Sequence, residues 1–324
     1  MFRKNDCLLR RFSGMLVLVC CLMLMVTATA LAATQDARWR LDAREGSVLP
    51  RSLRFMTDDF ANPVDPMPSR QGLEKLRCSA SAEFSGAGLA LLGEEIRARV
   101  GKEAVIYVVD LRKESHGFVN GDIPVSSHVK RNWGNYELNT PQVLQAEKEL
   151  LQSIEGQELT FVPMGNTDTK ILTARTVKVE KAQPEEAIAS ALGLHYKRIA
   201  VTDQAAPTDE NVDEFMEFYQ SLPKNAWLHF HCHAGHGRTT SFMVFYDILE
   251  NPGVPLKDIA ARQYALGGTN LLADSDRDDW RGQEIRKRAD LIRKFYDYVQ
   301  ANRSTDFQQK FSEWVAKSLG QGNE

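Results

Sequence analysis

The sequence predicts an α/β fold, and three observations carry that prediction. The apolar, β-branched or aromatic runs 104–109, 196–201 and 226–231 have the length and composition of buried strands. Amphipathic runs lie between them, with Val212, Phe215, Met216, Tyr219 and Leu222 at helical spacing. The third strand runs through a glycine-containing loop, His231 to Thr240, directly into a helix. Strands alternating with helices give a central sheet flanked by helices.

In chain order, Arg3, Lys4, Arg10 and Arg11 precede a short apolar run at 15–26 and the triplet Ala30-Leu31-Ala32. That is the pattern of a signal peptide over 1–32. The run is short for a membrane span, which disfavours an uncleaved anchor. No small residue precedes Cys20, which disfavours a lipoprotein site. Residues 33–324 are then expected to form a single catalytic domain. Forty Lys and Arg against 43 Asp and Glu give the chain a net charge of −3, and loss of the basic leader makes the rest more acidic. Such a balance excludes a nucleic-acid binder or a protein held stably on a membrane surface. An anionic ligand needs a local basic site on this acidic body. Of five Cys, only Cys78 and Cys232 lie beyond the leader, too few for a disulfide framework, and both are expected to be free.

Pro50, Pro63, Pro66 and Pro68 mark 33–70 as mostly loop. A helix is expected at 89–100, then the strand 104–109, which delivers Asp110 to Gly117 at its carboxyl end. Ligand sites form at that edge of an α/β sheet. Thr140 and Pro141 read as the cap and first residue of a helix whose apolar stripe is Val143, Leu144, Leu150, Leu151 and Ile154. The runs 159–163 and 171–179 alternate like a hairpin and predict a small β insert at about 156–182, with residues at about 41–57 as candidates to complete it. A short helix at 184–192 leads to the strand 196–201, which ends in Thr202-Asp203-Gln204. Thr208 caps the next helix. Further helices are expected at 239–249, 256–266 and 279–302, and a last one carries Phe307, Phe311, Trp314 and Val315 on its packing face.

The loop His231-Cys232-His233-Ala234-Gly235-His236-Gly237-Arg238-Thr239 carries the chemistry. At a helix amino end, backbone N–H groups lack intrahelical partners and point into the preceding loop. Gly235 and Gly237 permit the backbone conformations that curl those groups into an anion nest. Arg238 offers a bidentate fork for phosphate oxygens. A Cys at the centre of that field is favoured as a thiolate. The expected chemistry is therefore a thiolate nucleophile, Cys232, in a phosphate cradle. An alkoxide leaving group needs a proton. Asp203, at the end of a neighbouring strand, is the candidate acid. Asp209, Glu210 and Asp213 fall in the first turn of a helix, where they suit its dipole. Strand alternation puts His229 and His231 on one face and Cys232 on the other, and a metal would quench the thiolate, so no metal is expected. His231 is expected to orient the loop. His233 and His236 are expected to line it and add charge when protonated.

With Cys232, Arg238 and Asp203 in place, the chain resembles the protein-tyrosine-phosphatase superfamily, whose signature is His-Cys-x5-Arg. More closely it is similar to the bacterial protein-tyrosine-phosphatase-like phytases, also called cysteine phytases or inositol polyphosphate phosphatases. The matching segments run from Val109 to Gly117, from Arg198 to Asp203 with Pro207-Thr208 and Glu210-Asn211, and from Leu222 to Cys232. They continue with Gly237 to Thr240, Arg262-Gln263 and Gly267-Gly268. The resemblance implies a phosphatase α/β core with a small inserted partial β-barrel. It implies that Cys232 forms a phosphocysteine, Arg238 binds the phosphoryl group, Asp203 protonates the leaving alkoxide and Thr239 supports the thiolate. It places Arg54, Glu114, Arg281 and Arg288 where the family contacts inositol phosphate or shapes the pocket.

It further implies an exported enzyme, periplasmic or secreted, that needs no cofactor and strips phosphates stepwise from myo-inositol hexakisphosphate. The alternatives are a phosphotyrosine or phosphoinositide phosphatase using the same Cys, Arg and Asp, or a non-catalytic inositol-phosphate binder. The chain departs from the family pattern at Asn132, where Asp is usual, and at Gln204, where His often follows the acid. It also has His233 after the Cys where Glu or Gln is common, Ile285 for an expected Tyr, and Arg281 and Arg288 where Lys is usual.

Overall fold

The computed structural model describes residues 38–320, so the expected signal peptide lies outside the described residues. In chain order, β1 (Arg38–Leu41) and β2 (Arg54–Phe55) precede β3 (Cys78–Ser81), α1 (Gly86–Val100) and β4 (Val105–Arg112). The hairpin β5 (His116–Val119) and β6 (Ile123–His128) leads to α2 (Thr140–Ser153). A second hairpin, β7 (Glu158–Phe161) and β8 (Arg175–Lys178), carries one helical turn, α3 (Asp168–Ile171), in its connection. Then come β9 (Ala182–Gln183), α4 (Glu185–Ala191), β10 (His195–Val201), α5 (Asp209–Ser221) and β11 (Ala226–His231). The chain ends in four helices: α6 (Gly237–Glu250), α7 (Leu256–Ala265), α8 (Trp280–Asn302) and α9 (Phe311–Gly320).

The central sheet has the order β10-β4-β11-β3-β2, parallel except for β2. Its strands are buried on both faces, so they read as continuous apolar runs. Alternate residues part to two cores. Leu228, Phe230, Val109, Leu111, Ile199 and Val201 pack with α5, α6 and α8. Trp227, Ile106 and Val108 pack with Leu89, Leu92 and Ile96 of α1. Every residue of α6 from Arg238 to Leu249 is buried. A helix apolar on all sides belongs in a protein's interior, and this one anchors the end of the Cys loop there.

A second, antiparallel sheet has the order β1-β6-β5-β9. The β7–β8 hairpin reaches it through a bridge between Arg40 and Val162. Its apolar side joins Val119, Val125, Phe161 and Val179 to Leu151 and Ile154 of α2. Most of its strands precede the segment at about 156–182. The β5–β6 hairpin escaped the sequence reading, although Asn120-Gly121 between apolar runs is a hairpin signal. Both residues are left-handed there, at φ 51° and 79°.

Three further expectations are corrected. The second strand of the β7–β8 hairpin begins at Arg175, because 168–171 forms a helical turn. The cap of α2 is Asn139, which exchanges hydrogen bonds with Gln142 in a capping box and leaves Thr140 as the first helical residue. Phe307 precedes α9 in a left-handed turn at φ 55°.

Phe245 of α6 is fully buried and meets the rings of Phe215, Phe242 and Phe295 at 4.6–6.4 Å. Truncation there leaves a cavity the rigid sheet cannot fill. Phe245→Ala is expected to cost about 3–5 kcal/mol in denaturant unfolding.

Candidate active site

β11 and α6 hold the two ends of the Cys loop, and neither can move without unpacking the core. Between them, Gly235 takes a left-handed φ of 73°, and a Cβ there would lie 2.6 Å from the backbone of Ser81 and Ala82. Only glycine lets the loop lie against that strand end. Gly237 has another role: a side chain at this position would press on the Arg288 guanidinium at 3.3 Å. Cys232 is 3% exposed, and its Sγ accepts a hydrogen bond from Thr239 Oγ1 at 3.1 Å. The hydroxyl in the first turn of the helix thus points at the sulfur.

Arg238 is almost fully buried and held on two sides. Its Nη1 and Nη2 donate to the two oxygens of Glu114 at 2.7 and 3.0 Å. Nη1 also donates to the carbonyl of Val201 at 3.1 Å, and Nη2 lies 2.9 Å from Asp203 Oδ1. Burial works against the charge, but Asp203 and Glu114 outweigh it and push the guanidinium above its ordinary range. Burial likewise opposes the charge on Glu114, yet Arg238 and Arg112 hold its carboxyl well below the usual range. The structure therefore gives Glu114 a place different from the expected substrate contact. Both its oxygens are spent on Arg238 and Arg112, behind the cradle.

The other three candidate contacts divide in the same way. Arg54 is 3% exposed and donates to the Gly235 carbonyl at 2.9 Å and Thr240 Oγ1 at 3.3 Å, bracing the loop. Burial lowers its pKa to about 10. Arg288 is 6% exposed and donates to the Ala205 carbonyl at 2.6 Å, under the acid loop. Arg281 alone of the four is exposed; its Nε donates to Gln204 Oε1 at 3.0 Å, and its guanidinium lies 5.0 Å over the Trp280 ring. Asp203 comes off β10 beside Arg238. Asn132 Nδ2 donates to its Oδ2, and Trp133 Nε1 to its carbonyl, both at 2.9 Å.

The histidines of the loop do not share one role. His229 lies between Ser79 Oγ and Ser81 Oγ at 2.9 Å, and burial and neighbouring His231 keep its pKa well below the ordinary value. His231 meets Glu185 at 2.8 Å, out of line for a hydrogen bond but at ion-pair distance. Burial alone would strip its proton, yet Glu185, Asp110 and Glu83 push its pKa up to about 9. His233 turns away from the cradle, 3.1 Å from Asp168 of α3 and 3.6 Å from Asp42. Burial and Arg40 lower its pKa despite those carboxylates, and burial and Arg54 lower that of His236. Both are neutral near pH 7, so the positive charge expected of them comes instead from buried groups.

Beneath the loop lies a water-excluded network that sequence reading missed. Arg112 joins Asp42, Glu83 and Glu114 at 2.6–2.9 Å, and Arg198 joins Asp110 at 2.5 Å and Glu147 at 2.9 Å. His116 lies 3.0 Å from Asp110, and although burial and Arg112 oppose its charge, Asp110 and Glu147 push its pKa up to about 10. Two sets here, Glu83–His116–Glu185 and Asp110–Glu185–His231, have ligand atoms within 4.8 Å of one another. Arg112 sits on Glu83 and Arg198 on Asp110, while Glu185 faces His116 and His231, so guanidinium and imidazolium provide counter-charge. These residues carry no periodic signal; Glu185 reads only as an ordinary first-turn acid of α4.

The two raised imidazoles make stability depend on pH. Their folded pKa values, about 9 and 10, exceed the ordinary 6.5, so the folded chain holds their protons more tightly than the unfolded one. Their contribution is complete below 6.5 and lost as pH rises through 9 to 10. The unfolding midpoint is expected to fall steadily across that window; a flat profile from pH 7 to 10 would contradict the charged pair. Glu114→Ala leaves a buried guanidinium without its main partner and is expected to destabilise by about 3–5 kcal/mol in denaturant unfolding.

Comparison with known proteins now bears on this geometry. The family model of PTP-like phytases, described as inositol hexakisphosphate, matches residues 109–250. The tandemly repeated protein-tyrosine-phosphatase-like phytase of Mitsuokella multacida is 38% identical, with a TM-score of 0.80 over 87% of this chain and 49% of that one. A myo-inositol phosphatase structure from the same organism, 38% identical with a TM-score of 0.79, contains myo-inositol-(1,3,4,5)-tetrakisphosphate. Effector protein hopD2 of Pseudomonas syringae is 27% identical over 69% of this chain and 48% of its own length. The chain thus spans about half the length of these relatives. A PTP-like phytase from Bdellovibrio bacteriovorus is 31% identical, with a TM-score of 0.66 over 87% of this chain and 96% of that one. With this overlap along nearly a whole relative, and with Cys232, Thr239, Arg238 and Asp203 converging as described, the chain belongs to the protein-tyrosine-phosphatase-like phytase family.

Proposed function

We propose that this chain hydrolyses phosphomonoesters of inositol polyphosphates, removing phosphates stepwise from myo-inositol hexakisphosphate. The observation that carries the reading is a pair of contacts at the two ends of the Cys loop: Thr239 Oγ1 on Cys232 Sγ at 3.1 Å, and Arg238 Nη2 on Asp203 Oδ1 at 2.9 Å. The Mitsuokella relative that holds an inositol tetrakisphosphate supports the substrate class. The leader pattern at 1–32 supports export to the periplasm or beyond. Among the described residues, no helix is long and apolar enough to cross a membrane.

In this mechanism Cys232 Sγ attacks phosphorus and the P–O bond to the inositol carbon's oxygen breaks. Loop amides and Arg238 stabilise the charge on the transferring oxygens. Asp203 gives its proton to the departing alkoxide, which leaves as an alcohol. A water then attacks the phosphocysteine, Asp203 takes its proton, the S–P bond breaks, and phosphate leaves with the thiolate restored. Asp203 beside the guanidinium that holds the phosphoryl group suits both steps.

A phosphotyrosine substrate is the second reading. The aromatic group beside the acid favours it: Trp133 stacks on Tyr136 at 5.1 Å and meets Trp280 edge-on at 5.2 Å. The same surface, however, carries Arg131 and Arg281 over the Trp280 ring at 4.9 and 5.0 Å, which suits a polyanion. Wild type and Cys232→Ser should be compared on phytate, a phosphotyrosine peptide and phosphoinositides, with a chelator present throughout. Phytate turnover is expected to survive chelation and to vanish in the variant. Turnover by Cys232→Ser would remove the mechanism, and preference for the peptide would install the second reading.

A further inference from the structure

Asn132 stands where the family pattern has Asp, and its surroundings leave its amide one orientation. It is 2% exposed. Its Nδ2 donates to Asp203 Oδ2 at 2.9 Å, and its Oδ1 lies 3.0 Å from His128 Nδ1. A carboxylate only accepts when ionised, so the Asn132 nitrogen must face Asp203 and its oxygen must accept from His128 Nδ1–H. Burial and Arg40 lower the pKa of His128, which suits a neutral ring protonated at Nδ1. Arg131 and Asn132 are both left-handed, at φ 64° and 62°, a conformation that Asn tolerates better than most residues. The loop after β6 thus bends twice out of ordinary backbone to present this amide to the acid.

We propose that Asn132 is a positioning residue for Asp203, with His128 fixing the orientation of its amide. The proposal rests on the reading of Asp203 as proton donor. Asp203 has two carboxylate oxygens and both are taken: Arg238 holds Oδ1 and Asn132 holds Oδ2. When a phosphoryl group draws Arg238 to itself, Asn132 and the Trp133 contact to the Asp203 carbonyl remain to aim the carboxyl at the leaving oxygen. The other titratable groups that face this acid are Arg288 of α8 and His128 of β6. Neither holds Oδ2; among the described residues the carboxylate's partners are Arg238 and Asn132, and of the two only Asn132 is neutral.

The amide's neutrality has its own consequence. An Asp at 132 would place a second carboxylate against Oδ2, and two carboxylates this close keep a proton between them. A carboxylate at 132 would therefore delay loss of the acid's proton to higher pH, whereas Asn132 supplies a fixed hydrogen bond.

The test is the dependence of kcat on the leaving group, measured with inositol phosphate and a series of aryl phosphates of increasingly acidic phenols. Good leaving groups need no proton, so loss of a working acid steepens this dependence. Asn132→Gly removes the amide without straining the left-handed backbone. It is expected to lower kcat on the inositol ester about tenfold to a hundredfold, as for a catalytic group displaced by about 1 Å. The loss should shrink as the leaving group improves, with KM and inorganic phosphate affinity retained. Asp203→Asn should give the steepest line. A line for Asn132→Gly parallel to wild type, beside a steep one for Asp203→Asn, overturns the positioning role alone. Parallel lines for both overturn the acid assignment itself. Asn132→Asp should keep the wild-type slope at low pH and carry the descending limb of its kcat profile to higher pH; an unmoved limb also overturns the proposal.

Discussion

The fork between Arg238 and Glu114 is the interaction on which this site depends. A phosphate-binding guanidinium must stay charged where water is scarce, and an unpaired buried charge is among the most expensive things a fold can hold. Glu114 meets it with two parallel hydrogen bonds, at 2.7 and 3.0 Å, and is itself met by Arg112. Arg112 in turn binds Asp42 and Glu83, so the charge on the cradle is balanced through a chain of pairs and not by solvent. Breaking any link exposes the next. The network spans β1, β3, β4, β5, α2, α4 and β10, so it also ties together the elements that carry the catalytic loops.

That bracing explains why a second sheet lies beside the phosphatase core. Its hairpin turn brings Asp168 to His233, the residue next to the nucleophile, and to Arg51 at 2.8 Å. Its first strand is followed by Asp42, the partner of Arg40 and Arg112. The segment after β6 brings Asn132 and Trp133 to Asp203. The second sheet and the β7–β8 hairpin bridged to it thus touch both the Cys loop and the loop that carries Asp203. In the proposed mechanism, placement of these groups to within a fraction of an ångström decides the phosphoryl transfer.

Local patterns made the central features legible. β11 is legible to its exact ends because its flanks, Asn225 and the Cys loop, both change composition abruptly, and Cys232, Arg238 and Asp203 stand out as residue types at strand and helix ends, whereas the role of Thr239 follows only from the family resemblance. What failed to show is what depends on distance in sequence. Glu114 lies 124 residues from Arg238, and Asp168 lies 65 from His233, so nothing local marks their pairing. His233 and His236 misled for a related reason. A His in a basic loop suggests added charge, but the sequence gives no measure of the burial that deprotonates it. The β5–β6 hairpin was missed despite its Asn-Gly turn, because a buried strand of only four residues has too little periodicity to stand out.

The source of the positive field follows from these protonation states. With His229, His233 and His236 neutral, the cradle's charge comes from Arg238, from Arg54 and Arg288 behind it, from the imidazolium of His231 and from the amino end of α6. All of these but the helix end are side chains locked by packing or ion pairs; burial lowers the pKa of Arg54 to about 10 and also lowers that of Arg288, while His231 is pushed up to about 9. A cradle built this way keeps its affinity for phosphate across a wide pH range. The pH dependence of the chemistry then passes to the acid and to the groups that touch it. There Asn132 holds Asp203 Oδ2, and Gln204, the residue after the acid, is bound to Arg281. The cradle's charge is thus fixed by buried guanidinium groups, and pH acts on the site through the acid loop.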